Sequence, residues 1–494
     1  MSITGTIATE QIVSPVYFCV WSRDPAALRH EVWRADLMNG ANDEPLCLIA
    51  GTASYPGIGT IYPTVREMVT GADGHLLIVW MDAAVATDPG GLNFPGPRDG
   101  NTARLIKHDC WTGEALWSCD LAAAVRTFEA GATVTIMEHG AIGCGKDGTI
   151  LVALAGYTVT AGVYQRYLWA ITVDPSNGTV ADLAHLVTRD PAVAIDATHD
   201  VGRCQVFGAT WSSDDNFWVV ADYKFRDLAT TPHEPKEFSG HLYRFTSSDL
   251  SDHSDRTVIA EGAAWTVPLR IAHHGSGLLL MPVFYLYAEG TSWEQNRIGM
   301  MICSLAGDVV AVKGYSYEEG AVWGLYPHPG GMCGLERTGQ RFDIFETNEE
   351  DLSAASGATR TDLHWLTDGK CLWRFDTERG LGEPQALDVG GVLGQGADHT
   401  YNCHGLARLS NGDVLWLSYE YLDSRLGFVS GTDLRVRLTV ADGGSGVMKT
   451  QIIKDFASGD PINFPYLPQP YKWVGADIQE FPWVTLAVGA PKAI

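Results

Sequence analysis

The sequence contains no run of 18 apolar residues, no C-x-x-C pair and no helix-length stretch of 3.6-residue periodicity. The first absence excludes a membrane-spanning helix, and the second excludes zinc ribbons and fingers, whose ligand spacing it lacks. The third argues against helical bundles and βαβ folds. Basic residues are scarce, 34 Lys and Arg against 59 Asp and Glu, for a net charge of −25. Such a chain repels phosphate backbones, so tight nucleic-acid binding is not expected. The Gly-rich stretches at Gly90-Gly91 and Gly443-Gly444 carry no phosphate-loop or dinucleotide pattern. No G-x-S-x-G elbow sits in a strand-turn-helix context. The first residues, Met1-Ser2-Ile3-Thr4-Gly5-Thr6, show no basic region followed by an apolar run. Synthesis in a cytoplasm without a signal peptide is therefore the expectation. The ten cysteines are scattered, several of them inside apolar runs such as Phe18-Cys19-Val20, and read as buried reduced thiols.

What the chain has in quantity is glycine (54), aromatic residues and β-branched runs, the composition of many short strands joined by tight turns. One line recurs, a turn followed by an apolar strand: Ala72–Trp80, Lys146–Leu154, Asp214–Val220, Gly275–Leu280, Thr338–Ile344 and Ser410–Leu417. Its Asp-Gly and Asn-Gly pairs are strong hairpin signals. A second, alternating line follows each time: Glu31–Leu37, Arg104–Asp109, Tyr167–Thr172, His241–Thr246, Gly299–Ser304, Cys371–Asp376 and Leu434–Thr439, about 67 residues apart. Seven repeats of a hairpin-like unit predict an all-β chain folded as a seven-bladed β-propeller with long inter-strand loops, such as Ala83–Asn101 and Arg226–Ser239. The expected division is an N-terminal arm over residues 1–15, the propeller over 16–450, and a C-terminal arm with a ring-closing strand over 451–494. The first repeat lacks an inner strand, and Pro482–Val488 supplies it, which removes two exposed sheet edges. Three prolines in Phe464–Pro470 make that segment an extended arm.

Residues just upstream of each first-line turn would face a propeller's funnel. They are Tyr62 and Arg66, Glu138 and His139, His199 and Arg203, Arg270 with His273 and His274, Tyr326 and His328, and Tyr401 and His404. Arginines there could hold a carboxylate, and His or Tyr could move protons beside it. For an enzyme the expected catalytic set is His139, His199, Arg203, Arg270, Tyr401 and His404; the expected ligand-binding set is Tyr62, Arg66, Glu138 and His273. No cofactor and no metal is expected.

Three resemblances attach to these residues. The funnel set resembles that of the seven-bladed polysaccharide lyases of the sialidase-like repeat superfamily, which implies cleavage of an acidic glycan; Tyr157 stands where a second His would follow His139. Ser213–Trp218 is similar to the Asp-box of sialidases but lacks its Gly. Four His in one funnel would also resemble the iron site of the carotenoid-cleaving dioxygenases. The oversized blades and terminal arms resemble the propellers of tailed-bacteriophage nozzles, necks and receptor-binding parts. The leading expectation is this last one: a non-enzymatic virion scaffold in an oligomeric assembly, its partners neighbouring virion proteins or a host-surface glycan, with no membrane contact. A lyase or glycosidase on an acidic glycan is the alternative.

Overall fold

The computed structural model describes residues 12–24, 27–37, 45–49, 63–82, 102–145, 147–187, 193–194, 203–212, 214–226, 235–259, 264–268, 271–274, 278–289, 292–316, 335–338, 341–347, 370–376, 385–388, 399–408, 414–422, 434–441, 448–456, 486–488 and 492–493. These residues are almost all β, in seven antiparallel sheets. Sheet 1 begins with β1 (Ile12–Asp24), β2 (Ala27–Leu37) and β3 (Leu46–Ile49). Sheet 2 is β4 (Pro63–Thr70), β5 (Leu76–Asp82), β6 (Ala103–His108) and β7 (Ala115–Asp120). A short helix, α1 (Leu121–Phe128), leads to sheet 3: β8 (Thr133–Cys144), β9 (Ile150–Thr160), β10 (Val163–Val173) and β11 (Val180–Val187), with β12 (Val193–Ala194) also on β10. Sheet 4 is β13 (Arg203–Trp211), β14 (Asn216–Arg226), β15 (Pro235–Thr246) and β16 (Asp249–Ile259). In sheet 5, β17 (Ala264–Pro268) and β18 (Ala272–His274) both pair with β19 (Leu278–Glu289), followed by β20 (Ser292–Ser304) and β21 (Val309–Ser316). Sheet 6 is β22 (Leu335–Thr338), β23 (Arg341–Thr347), β24 (Lys370–Asp376) and β25 (Gln385–Asp388). Sheet 7 is β26 (His399–Arg408), β27 (Val414–Leu422), β28 (Leu434–Ala441) and β29 (Met448–Phe456). Last in the chain, β30 (Leu486–Val488) and β31 (Lys492–Ala493) pair back onto β1, Val16 opposite Val488 and Ile12 opposite Ala493.

The second strands of sheets 2 to 4 are strongly apolar because both of their faces are covered. In β9, Ile150, Val152 and Leu154 pack into the core shared with Leu77, Val79 and Met81 of sheet 2. The alternate residues Leu151, Ala153 and Ala155 pack against Phe217, Val219 and Ala221 of sheet 4. The other face of β5, Leu76, Ile78 and Trp80, meets Tyr17, Cys19 and Val32 of sheet 1. Sheets 1 to 4 thus stack face to face, and a strand buried on both faces reads as a continuous apolar run rather than an alternation. Each Val, Ile or Leu so buried contributes about 1.5–3 kcal/mol.

Outer turns clasp each sheet to the one before it. In the β10–β11 turn Asp174 accepts from Ser176 N at 2.8 Å, and Gly178 takes φ of +76°. The Pro175 carbonyl of that turn accepts from Lys107 Nζ and Trp117 Nε1 of sheet 2, each at 3.0 Å. Likewise Arg34 of sheet 1 donates to Trp111 O in the β6–β7 turn at 2.8 Å, and Leu250 N after β15 donates to Asp182 of sheet 3 at 2.9 Å.

Several expectations shift. The expected N-terminal arm through residue 15 is already strand from Ile12, with Ser14 paired to Leu37. The last strand of sheet 7 runs on to Phe456, past the boundary expected at 450, because β28 needs a partner along its whole length. The span expected as a loop at Arg226–Ser239 is strand at its two ends, with Tyr223 opposite Ser239 and Phe225 opposite Glu237; residues 227–234 lie outside the described residues. The helix α1 was not expected; two turns of Ala-rich chain capped by Asp120, whose Oδ1 accepts from Ala123 N at 2.9 Å, are too short to show a periodicity. Among the described cysteines, Cys19, Cys110, Cys119 and Cys303 are buried, but Cys47 is exposed on the outermost strand of sheet 1. The loop expected at Ala83–Asn101 and the arm expected at Phe464–Pro470 lie outside the described residues.

Candidate functional site

Each sheet has a leading strand next to its apolar second strand: β30, β4, β8, β13, the β17–β18 pair, β22 and β26. These leading strands touch one another in turn: β4 touches β8, β8 touches β13, β13 touches β18, β18 touches β22, and β22 touches β26. β30 touches both β26 and β4.

Four of the leading strands also share an irregularity. β4 pairs with β5 through Val65 opposite Trp80, then resumes with Glu67 opposite Val79, leaving Arg66 as the extra residue. β13 does the same between Val206 and Gly208, leaving Phe207, and β26 between Cys403 and Gly405, leaving His404. In β8 the step from Ile136 to Gly140 leaves Met137, Glu138 and His139 opposite a single residue of β9. In all four sheets the first hairpin closes over five residues, between Thr70 and Leu76, Cys144 and Ile150, Trp211 and Phe217, and Arg408 and Val414. Counted back from that closure, Arg66, Phe207 and His404 occupy the same position, and His139 lies one residue further from its turn. Bulges of this kind re-aim a side chain and are over-represented at active sites.

A glycine follows the break in three of the four: Gly140, Gly208 and Gly405. At Gly140 an added methyl would meet Leu154 at 3.0 Å and Val79 at 3.4 Å. The small residue therefore lets the strand re-enter its ladder against a full core. The surroundings of the breaks are apolar: Val65, Met68, Ile136 and Val206 are buried, with buried Glu67 beside Arg66.

Of the expected site residues, Arg66 and His404 are the extra residues of β4 and β26, and Glu138 and His139 fall in the three-residue step of β8. Arg203 and Tyr401 lie nearer the starts of β13 and β26, opposite Lys224 and Glu420. His273 sits on β18 beside the hairpin turn and is buried; its backbone N–H reaches Thr210 Oγ1 of β13 at 3.4 Å. It lies beyond the break between Pro268 and Ala272, toward the turn. Tyr62, His199, Arg270, Tyr326 and His328 lie outside the described residues. Phe207 and Met137 were missed by reading the sequence; the recurring x-Gly step at 139–140, 207–208 and 404–405 is the signal that could have found them. Among the described residues no group of three or more His, Cys, Asp or Glu is gathered to hold a metal.

Two polar clusters away from the breaks are structural. Glu129, at the C-terminus of α1, accepts from Trp169 Nε1 at 2.9 Å and pairs with His185 Nδ1 at 2.5 Å. His185 stacks on Tyr167, ring centroids 4.5 Å apart, and the cluster pins α1 to sheet 3. In the turn before β14, Ser212 Oγ accepts from Trp218 Nε1 at 3.1 Å and is hydrogen-bonded to Asp214. The Asp-box-like unit therefore starts at Ser212, one residue earlier than the sequence resemblance placed it, and Asp215 takes the positive φ of 59°.

No family model matches the sequence, and no curated protein matches it. Among solved structures, a mutant of the Synechocystis apocarotenoid oxygenase is similar at 9% identity and TM-score 0.45, covering 92% of this chain and 91% of that one. An ACO/RPE65 chimera is similar at 9% identity and TM-score 0.43, with 92% of each chain covered. A protein of unknown function from Dyadobacter fermentans is similar at 12% identity and TM-score 0.37, over 73% of this chain and 91% of that one. These neighbours correct the leading expectation of a bacteriophage virion scaffold: those named with an activity are the apocarotenoid oxygenase, its chimera with RPE65 and a luciferin-regenerating enzyme, and none of them is a virion part or a polysaccharide lyase.

Proposed function

We propose that the seven sheets are the blades of a closed propeller and that the chain is a metal-dependent oxygenase working at the level of the register breaks. Two observations support the ring: the cycle of contacts through the leading strands, and the C-terminal strand that completes sheet 1. In a ring the leading strands surround the axis. The breaks in β4, β8, β13 and β26 then lie at one height around it.

The observation that carries the enzymatic reading is that His139 and His404, far apart in sequence, stand at breaks of nearly the same register on separate leading strands. Imidazoles from separate strands converging on an axis fit a first-row transition metal, and iron is the ion the resemblance to carotenoid-cleaving dioxygenases implies. His139 and His404 would hold it, with His199 and His328, ahead of sheets 4 and 6, as the remaining imidazole donors. This departs from the expectation of no cofactor. Such an ion supplies the dioxygen chemistry that side chains cannot. The chain's own part is to position the ligands on rigid strands.

Metal analysis of the protein purified from iron-supplemented cells tests this. Iron in an amount comparable to the protein is expected in the wild type. It should be lost in His139→Ala and in His404→Ala while circular dichroism stays that of an all-β protein. A wild type free of transition metal, or two variants that keep it, would sink the reading.

A further inference from the structure

We infer that the β6–β7 turn is a proton-operated latch between sheets 1 and 2, opened through His75 and His108 as the pH falls. The inference stands apart from the metal reading, since it uses neither the register breaks nor their residues.

The turn is held from three sides. Within it, Asp109 Oδ1 accepts from Trp111 N at 2.9 Å and Thr112 N at 2.8 Å, and Gly113 N donates to Asp109 O at 2.9 Å. From sheet 1, Tyr17 Oη donates to Cys110 O at 3.0 Å, and Arg34 donates to Trp111 O at 2.8 Å with its guanidinium 4.7 Å from the centre of the Trp111 ring. From the first hairpin of sheet 2, His75 Nδ1 accepts from Cys110 N at 3.4 Å. His108, the last residue of β6, reaches Gly113 O through Nδ1 at 2.9 Å.

Both imidazoles do this only as neutral groups. A carbonyl accepts, so Nδ1 of His108 carries the proton and Nε2 is a bare lone pair. That Nε2 is buried and has no hydrogen-bond partner. A second proton would create a buried N–H with no acceptor, and burial already holds this imidazole below its ordinary 6.5. The groups packed around the turn do not relieve that charge. Leu76 lies opposite His108, and the Trp80 ring stands edge-on, centroids 6.3 Å apart. Arg34 is itself a cation and is held by Asp36, Lys107 is paired with Asp73, Asp109 is engaged by the turn amides, and Glu114 is exposed. At His75 the proton lands on the atom that accepts from Cys110 N, and the ring is then drawn to Asp109 Oδ2, 3.7 Å away. Protonation therefore drives His108 toward solvent, frees Gly113 O and Cys110 N, and loosens the two carbonyls that sheet 1 grips. Cys110, buried in the closed turn, becomes accessible.

The β10–β11 turn has the same build and serves as an internal control. Gly178 N donates to Asp174 O at 2.9 Å, and the Pro175 carbonyl is gripped by sheet 2 where the Cys110 carbonyl is gripped by sheet 1. Val173, buried, holds the place of His108, so that turn has no imidazole to protonate.

Labelling of the native protein with dithiodipyridine, which stays reactive toward thiols in acid, followed by peptide mass spectrometry, tests the latch. A histidine that takes up its proton only in the open state, at its ordinary 6.5, shifts the opening equilibrium about tenfold between roughly pH 7.5 and 5.5. Cys110 labelling should rise by at least that factor, while Cys303, buried in sheet 5, stays protected at both pH values. His108→Gln, whose amide can still donate to Gly113 O, should keep only part of the rise, and the double variant with His75→Gln should lose it. Hydrogen exchange of the wild type gives a check that needs no variant: residues 110–114 should lose protection on acidification while residues 175–179 keep theirs. Cys110 labelling that does not change with pH, a rise undiminished in the double variant, Cys303 exposed in step with Cys110, or equal loss of protection in both turns would each overturn the inference.

Discussion

The second strands and the leading strands of these sheets lie side by side yet obey different rules. β5, β9 and β27 pair with their third strands without a register shift. On their other side the same strands face β4, β8 and β26, each broken in mid-strand. A second strand buries both faces, so a one-residue slip would send each of its side chains into the wrong core. A leading strand has a ladder on one side only and can carry an extra residue at lower cost. Stability is concentrated in one strand of each sheet, and freedom to place a functional group in its neighbour.

The largest expected effect breaks the second strand. Trp218 of β14 is fully buried, its indole N–H on Ser212 Oγ. Trp218→Ala should cost about 3–5 kcal/mol in chemical denaturation. In metal-free protein, His404→Ala, in a leading-strand break, should cost less than about 1 kcal/mol. Similar losses at the two positions would erase the contrast.

A middle-sized effect concerns the outer turns. Gly178 has φ of +76°, and a methyl there would stand 2.5 Å from the Trp117 ring. Gly178→Ala should destabilise by at least the ~1–2 kcal/mol of a left-handed L-residue, and should quench or shift the Trp117 fluorescence. Gly162, also at positive φ but with nothing near its Cβ, is the control, expected to lose only the conformational part.

A smaller effect appears as a pH dependence. Burial holds the His108 imidazole below its ordinary 6.5, against the opposing hydrogen bond to Gly113 O. The unfolded chain therefore takes up this proton first, so stability is full above about pH 6.5 and falls below it. His108→Gln should flatten that part of the curve. A second decline should follow lower, where Asp147 is protonated: the N–H and hydroxyl of Thr149 hold its carboxyl below the usual 3.8, so its contribution is present above 3.8 and lost as pH falls through the folded value. A flat profile between pH 7 and 5 that His108→Gln does not alter would contradict the first window.

The smallest effect leaves the fold untouched. Cys47 is exposed, whereas burial pushes the thiols of Cys119 up to about 11 and Cys303 up to about 12. In native protein a thiol reagent should modify Cys47 in the fast phase and leave Cys119 and Cys303 for denaturant. Loss of the fast phase in Cys47→Ser checks the assignment.

The all-β class and the seven repeats were legible in the sequence because their signals are local. Asp73-Gly74 and Asp147-Gly148 close their turns through a side chain two residues from its donor and a glycine at positive φ. The apolar runs at 76–80 and 150–155 follow from burial on two faces. The exposed side of Cys47 and the pairing of residues 223–226 with 235–239 were not legible, since both depend on which strand lies at an edge and how far its partner extends. The frame of the Ser212–Trp218 turn was misread by one residue because Ser212 and Ser213 are chemically alike, and only the reach of Oγ to the Trp218 indole tells them apart.

The sequence by itself determined where strands turn and which of them carry the core, since turn chemistry and hydrophobic patterning act over a few residues. The tertiary structure alone decided that Arg66 and His404 are extra residues of their ladders and that His139 falls in a three-residue step. A register break is a relation between two strands and has no composition of its own; the same His-Gly pair would read as an ordinary turn until its partner across the ladder was known.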